Sequence, residues 1–157
     1  MLLLELVFYF FTWEIVWGRI LTVDTLMKRG WKMVNKCSFC KDTEEFANHI
    51  LIHCDKTRNL WTFLLAVFGL VWVLPALVRN LLLQWKIKKV KGLHKKKTAV
   101  WCLAQICLFW CIWKEHNWRV FKDEELLHQR VKDFFIWLLL EWSQDSLELE
   151  NPLCWIS

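Results

Sequence analysis

The sequence predicts a mainly α protein, and three observations carry that prediction. Apolar residues recur at helical spacing, as in Leu127, Val131, Phe134 and Leu138, at i, i+4, i+7 and i+11. No stretch alternates apolar and polar residues as a half-buried strand does. Gly18, Gly30 and Gly69 stand where helical runs stop. At 157 residues the chain has the size of one domain. Its hydrophobic content of 56% exceeds the usual figure of about 45–50%, so apolar surface for a core is ample. Thirteen tryptophans are more than such an interior needs, which points to exposed rings or to a piece of something larger.

The elements follow in order. The opening run is strongly apolar, with Trp13 and Trp17 one turn apart, and Gly18 stops it by accepting a left-handed conformation. "TVDTLMKRG" reads as a short helix capped by Thr22 or Asp24, with Lys28 and Arg29 at its negative end and Gly30 closing it. "WKMV" (31–34) reads as extended. A helix should start near Asp42 or Thr43, with Phe46, Ile50 and Leu51 on one face and His49 in its last turns. A second should follow Cys54 and end at Gly69. "PALVRNLLLQW" is a further helix with Pro75 in its first turn, where a missing N–H costs nothing. A long helix over 98–120 and another over 123–142, capped by Asp123, form a C-terminal hairpin, and the acidic tail after Ser143 should fray. No internal repeat is present. The chain divides into a lobe at 7–68, an apolar helix and lysine-rich linker at 69–97, the hairpin at 98–142, and the tail at 143–157.

Charge is unevenly spread. Residues 86–97, "KIKKVKGLHKKK", hold seven lysines and no acid; taking these from the net +5 leaves −2 for the rest. Such a block cannot pack, so Lys86, Lys88, Lys89, Lys91, Lys95, Lys96 and Lys97 read as a solvated loop or a surface awaiting polyanions. Contact with RNA or DNA through it would be non-specific, because no base-reading element accompanies it. A solubilising connector and a nuclear-import signal are the competing readings.

Seven cysteines cannot all pair, and "MLLLELVFYFF" lacks the basic start and small-residue cleavage site of a secretory leader. A reducing intracellular compartment, nucleus or cytoplasm, is the better reading, and clustered cysteines there usually mean metal. Residues 60–78 run without a charge, close to the ~20 residues of a membrane span. Gly69 and Pro75 would interrupt that helix, so a spanning protein is the weaker alternative.

The metal window is "CSFCKDTEEFANHILIHC", residues 37–54. Its spacing, C-x2-C-x8-H-x4-C, lets a tight turn aim Cys37 and Cys40 at one ion, while His49 and Cys54 close a tetrahedron. Three thiolates and an imidazole suit one Zn(II), and four protein ligands make the site structural. His53 is a possible substitute for His49, but it adjoins Cys54 and would meet the same ion only with strain. The competing reading is a polar turn with buried thiols, since free cysteine packs like a small hydrophobe. With zinc, the fold becomes a small zinc-stabilised helical lobe followed by the hairpin.

Taken together, "FFTWEIVWGRILTVDTLMKRG", "CSFC", the pair Glu44–Glu45, "HILIHC" and Leu60–Trp61 resemble the zinc-binding domain of plant reverse transcriptases, the module C-terminal to the polymerase in non-LTR retrotransposon polyproteins. The resemblance covers about residues 7–68 and implies Cys37, Cys40, His49 and Cys54 as zinc ligands. "LFWCIWKEHNWRVF" (108–121) is similar to the helical tail trailing such domains, with His116 where the tail usually carries arginine. No Y-x-D-D pair for catalytic metals, P-loop, G-x-S-x-G elbow or H-E-x-x-H helix occurs. The expectation is therefore no enzyme, but a zinc-binding, nucleic-acid-associated module derived from a retrotransposon. The alternative is a tryptophan-rich module that docks on a polymerase domain. Trp61 should pack over the zinc lobe, and Cys102, Cys107 and Cys111 should be buried thiols. His94, His116 and His128 sit among charges and read as surface residues.

Overall fold

A computed structural model describes residues 2–87, 95–126 and 128–148. Among them are six α-helices and one π-helical turn, and no strand. The order is α1 (Leu2–Val16), α2 (Val23–Lys28), the π turn (His49–His53), α3 (Asp55–Phe68), α4 (Val78–Ile87), α5 (Lys95–Lys122) and α6 (His128–Glu148).

Helix α1 buries Phe8, Phe11 and Ile15, at i, i+3 and i+7. Phe8 and Phe11 meet the Trp110 ring edge-on at 5.5 and 5.3 Å. Helix α2 ends in a Schellman closure: Gly30 N–H donates to Met27 O at 3.0 Å and Trp31 N–H to Leu26 O at 3.1 Å. That closure needs a left-handed residue, and Gly30 supplies it with φ +94°. Thr22 occupies the N-cap position but its side chain caps nothing; its hydroxyl bonds the Asp24 carboxylate instead. Residues 31–37 form no regular element.

Several expected boundaries move. No helix starts at Asp42: helical winding begins only at Ala47, because Cys37 N–H donates to Thr43 O at 2.8 Å and folds residues 41–43 back onto the cysteine turn. Pro75 lies outside α4, whose first amide, Val78 N–H, is capped by Asn48 Oδ1 at 2.9 Å from the metal window. The uncharged stretch 60–78 is not one helix. It stops at Phe68, Gly69 turns left-handed with φ +65°, and among the described residues no helix is long and apolar enough to cross a membrane.

The hairpin also differs in detail. Asp123 is left-handed, φ 52°, directly after α5 and five residues before α6, so it terminates one helix rather than capping the next. Helix α6 continues past Ser143 to Glu148. Its buried stripe is Val131, Phe135, Leu138 and Trp142. Phe134 is only half-buried, because it turns toward Trp137, stacked at 5.9 Å, beneath the Lys114 ammonium.

Lobe and hairpin share one hydrophobic core that includes Phe11, Leu51, Trp61, Leu81, Ile112 and Phe135. Trp61 is fully buried, donates its indole N–H to Leu51 O at 2.8 Å and meets Phe109 edge-on at 5.3 Å. Truncating a ring so enclosed leaves a cavity, so Trp61→Ala should cost about 3–5 kcal/mol, read as a lower urea midpoint with zinc saturating. Trp13, Trp17, Trp31 and Trp137 are exposed, which accounts for part of the tryptophan excess.

Candidate metal centre

The window folds as two short devices that face each other. The first is the cysteine turn, where Lys41 N–H donates to Cys37 O at 2.9 Å and Lys41 adopts a left-handed φ of 58°. The second is the π turn, closed by Cys54 N–H donating to His49 O at 2.7 Å. On an α-helix a residue five places on lies about 140° around the axis. Winding with i→i+5 bonds returns it close to the starting face, so His49 and Cys54 point to one place. Side chains of α3 anchor this turn: Thr57 donates to Ile50 O at 2.6 Å, and Trp61 takes Leu51 O.

The four ligand atoms lie within 4.8 Å of one another. Zinc bonds of about 2.3 Å to sulfur and about 2.0 Å to nitrogen predict tetrahedral edges of about 3.8 Å (S···S) and about 3.5 Å (S···N). Cys37 Sγ to Cys54 Sγ is 3.9 Å, and Cys40 Sγ to His49 Nε2 is 3.5 Å. The residues therefore fit one tetrahedral ion. His53 is excluded from the set, as its Nε2 donates to Ala76 O at 2.7 Å. Cys37, Cys40, His49 and Cys54 are the ligand set for one structural zinc, with no ligand position left for water.

Electrostatics favour the thiolate at Cys54 and Cys40 but not at Cys37. The Cys37 thiol donates to Cys54, which, with the N–H groups of Lys56 and Thr57 at the start of α3, lowers Cys54 to about 6 against the opposing effect of burial. Cys37 is correspondingly raised, by that bond and by burial. Burial tends to raise Cys40, but the Thr43 N–H and hydroxyl, the Asp42 N–H and His49 outweigh it and hold the thiol below its ordinary value. Thr43 Oγ1 also lies 3.0 Å from His49 Nε2, a contact that a zinc ion must displace, because that nitrogen has a single lone pair to give. Metal binding must displace the remaining thiol protons, which makes affinity pH-dependent.

Behind the cysteine turn sits Glu45, fully buried. Oε1 accepts Val23 N–H at 2.8 Å and His116 Nε2–H at 2.6 Å, and Oε2 accepts Ser38 N–H at 2.8 Å. One carboxylate thus joins the start of α2, the cysteine turn and α5. Burial acts to raise its pKa, but the His116, Ser38 and Val23 bonds prevail and hold it below the carboxylate range. His116 is itself fully buried and stacked on Trp113 at 4.7 Å. The surface expectation for His116 is wrong because the charges beside it in sequence point elsewhere. His116 lies one helical turn before Arg119 on α5 and faces the lobe, and Arg119 reinforces the tie by donating to Ser38 O at 3.1 Å while lying 4.7 Å over Phe39.

The other predicted residues are placed separately. Lys86 lies in the last turn of α4, and Lys95, Lys96 and Lys97 open α5, so the linker is shorter than expected. Lys88, Lys89, Lys91, His94 and Cys154 lie outside the described residues. Cys102, Cys107 and Cys111 are buried on α5 as expected; burial pushes Cys111 up to about 12 and raises Cys107 as well. His128 is exposed. Sequence reasoning missed Glu45, Asn48 and Thr57 as supports of the site. Glu45 belongs to the acidic pair that the family resemblance already singles out, whereas Asn48 and Thr57 carry no signal beyond being polar residues beside buried ones.

A family model described as zinc-binding in reverse transcriptase matches residues 4–61. No curated protein and no solved structure matches the chain significantly.

Proposed function

From the premise that residues 4–61 are a zinc-binding domain of the reverse-transcriptase type, we propose that the chain is a non-catalytic module of plant retrotransposon origin that associates with RNA or DNA through non-specific electrostatic contacts. The closed Cys3His cluster carries this reading, because a zinc with four protein ligands holds a fold and offers no site for chemistry. The seven lysines of residues 86–97 supply the charge. The place of action is intracellular, in nucleus or cytoplasm. The test is fluorescence anisotropy of the zinc-loaded chain with a labelled duplex across a salt series. If half the lysines touch phosphate, log K should fall against log salt with a slope of about −3. Changing all seven to glutamine should flatten it. A wild-type chain that binds neither duplex nor single strand would refute the proposal.

One observation favours a second reading, docking on a polymerase domain. Helix α1 is apolar on all sides, and such helices belong in an interior, yet Phe10, Trp13 and Trp17 are exposed along one face with ring spacings of 6.2 and 6.3 Å. Glu14 lies among them, and the Arg19 guanidinium sits over the Trp13 ring at 4.9 Å. Co-purification with a reverse-transcriptase polymerase domain, abolished by Trp13→Glu with Trp17→Glu, would support this reading.

A further inference from the structure

We infer that the zinc lobe holds single-stranded nucleic acid at an aromatic pair, Trp31 and Phe121, framed by Lys28, Arg29, Lys32 and Lys122. The inference rests on the proposed association with nucleic acid and gives it a location other than the lysine-rich segment.

Trp31 is placed, not loose. Its N–H closes the end of α2 on Leu26 O, a position whose side chain commonly packs back onto the helix. Here the ring is instead 55% exposed and meets Phe121, 48% exposed, edge-on at 6.1 Å. The two rings come from segments ninety residues apart in sequence, so the fold assembles the pair on the surface. Cations bracket it along both segments: Lys28, Arg29 and Lys32 around Trp31, and Lys122 after Phe121, all exposed. Lys122 also lies 5.3 Å over the Trp118 ring. Asp24 engages Lys28 at 3.4 Å, and Asp123 and Glu124 follow Lys122 in the chain, so the positive excess is small and local.

An aromatic face between cations matches what single strands offer, unpaired bases flanked by phosphates. In the α1 strip a single cation, Arg19 over Trp13, is set against Glu14, so the strip offers no positive excess. A duplex presents no free base face, so the ring pair should discriminate between the two forms while the lysine segment should not.

The test is anisotropy of the zinc-loaded full chain with labelled oligo(U) and with a duplex of equal length. Trp31→Ala should weaken oligo(U) binding about tenfold and change duplex binding less than about twofold. Trp31→Phe should restore most of the loss, and replacing Lys28, Arg29 and Lys32 with alanine should reduce the salt slope on oligo(U) by about 2. Equal binding by wild type and Trp31→Ala, or equal losses on both probes, would overturn the inference. Should Trp31→Ala fail to fold, ultraviolet crosslinking of the wild-type chain to 4-thiouridine RNA decides. Crosslinks at Trp31 or Phe121 support the inference, and crosslinks confined to residues 86–97 overturn it while leaving the proposed function standing. A wild-type chain that binds no probe ends both.

Discussion

Cys40→Ser protein, purified without added zinc, is expected to carry none by native mass spectrometry, where the wild type carries one ion per chain. His49→Ala should do the same. A serine hydroxyl does not ionise as a thiol does, and an alanine offers no donor, so each variant leaves three ligands for an ion that needs four. Apparent binding free energies for structural zinc reach about 10–16 kcal/mol in small domains, comparable to the whole stability of a typical domain at about 5–15 kcal/mol. Both variants should therefore lose helical signal. The π turn goes first, because its buried residues Ile50, Leu51 and Ile52 sit between two ligands. Cys111→Ala is the control, since that thiol lies on α5, buried and protonated, and should leave zinc content unchanged. Wild-type protein that is folded but metal-free would refute the zinc assignment.

Glu45→Ala should be among the costliest changes outside the ligands, about 3–5 kcal/mol in urea denaturation with zinc saturating. The variant strands the Val23 and Ser38 amides and leaves His116 buried without its carboxylate. A zinc content that stays at one per chain would separate this effect from ligand loss. The carboxyl also sets a pH dependence. Its folded pKa is depressed, so its stabilisation is complete above the unfolded value of about 4.3 and disappears as pH falls through the lower folded value. Wild type should lose stability on that acid side, and Glu45→Ala should show a flatter profile there. Identical acid profiles would show that Glu45 does not contribute in this way.

The ligand set was legible because metal chemistry depends on a few residue types at short sequence separation. Cys37, Cys40, His49 and Cys54 span eighteen residues, and local turns bring them together. Helices α1, α3 and α5 were legible for a similar reason, as apolar spacing and the stop at Gly69 are local signals. The register of the buried stripe on α6 was missed by one residue at Phe134, since both phenylalanines suit an apolar face and only tertiary packing, which sets Phe135 edge-on to Phe63 of α3 at 6.4 Å, selects it.

By itself, then, the sequence determined the mainly helical class and the zinc ligands, both of which depend on neighbours in the chain. Tertiary structure alone decided where α4 begins, through a cap from Asn48 thirty residues upstream, and where His116 sits. It also decided that Glu45 would join three segments. Those outcomes depend on partners distant in sequence, and a buried polar group reveals its purpose only when its hydrogen-bonding partners are in place.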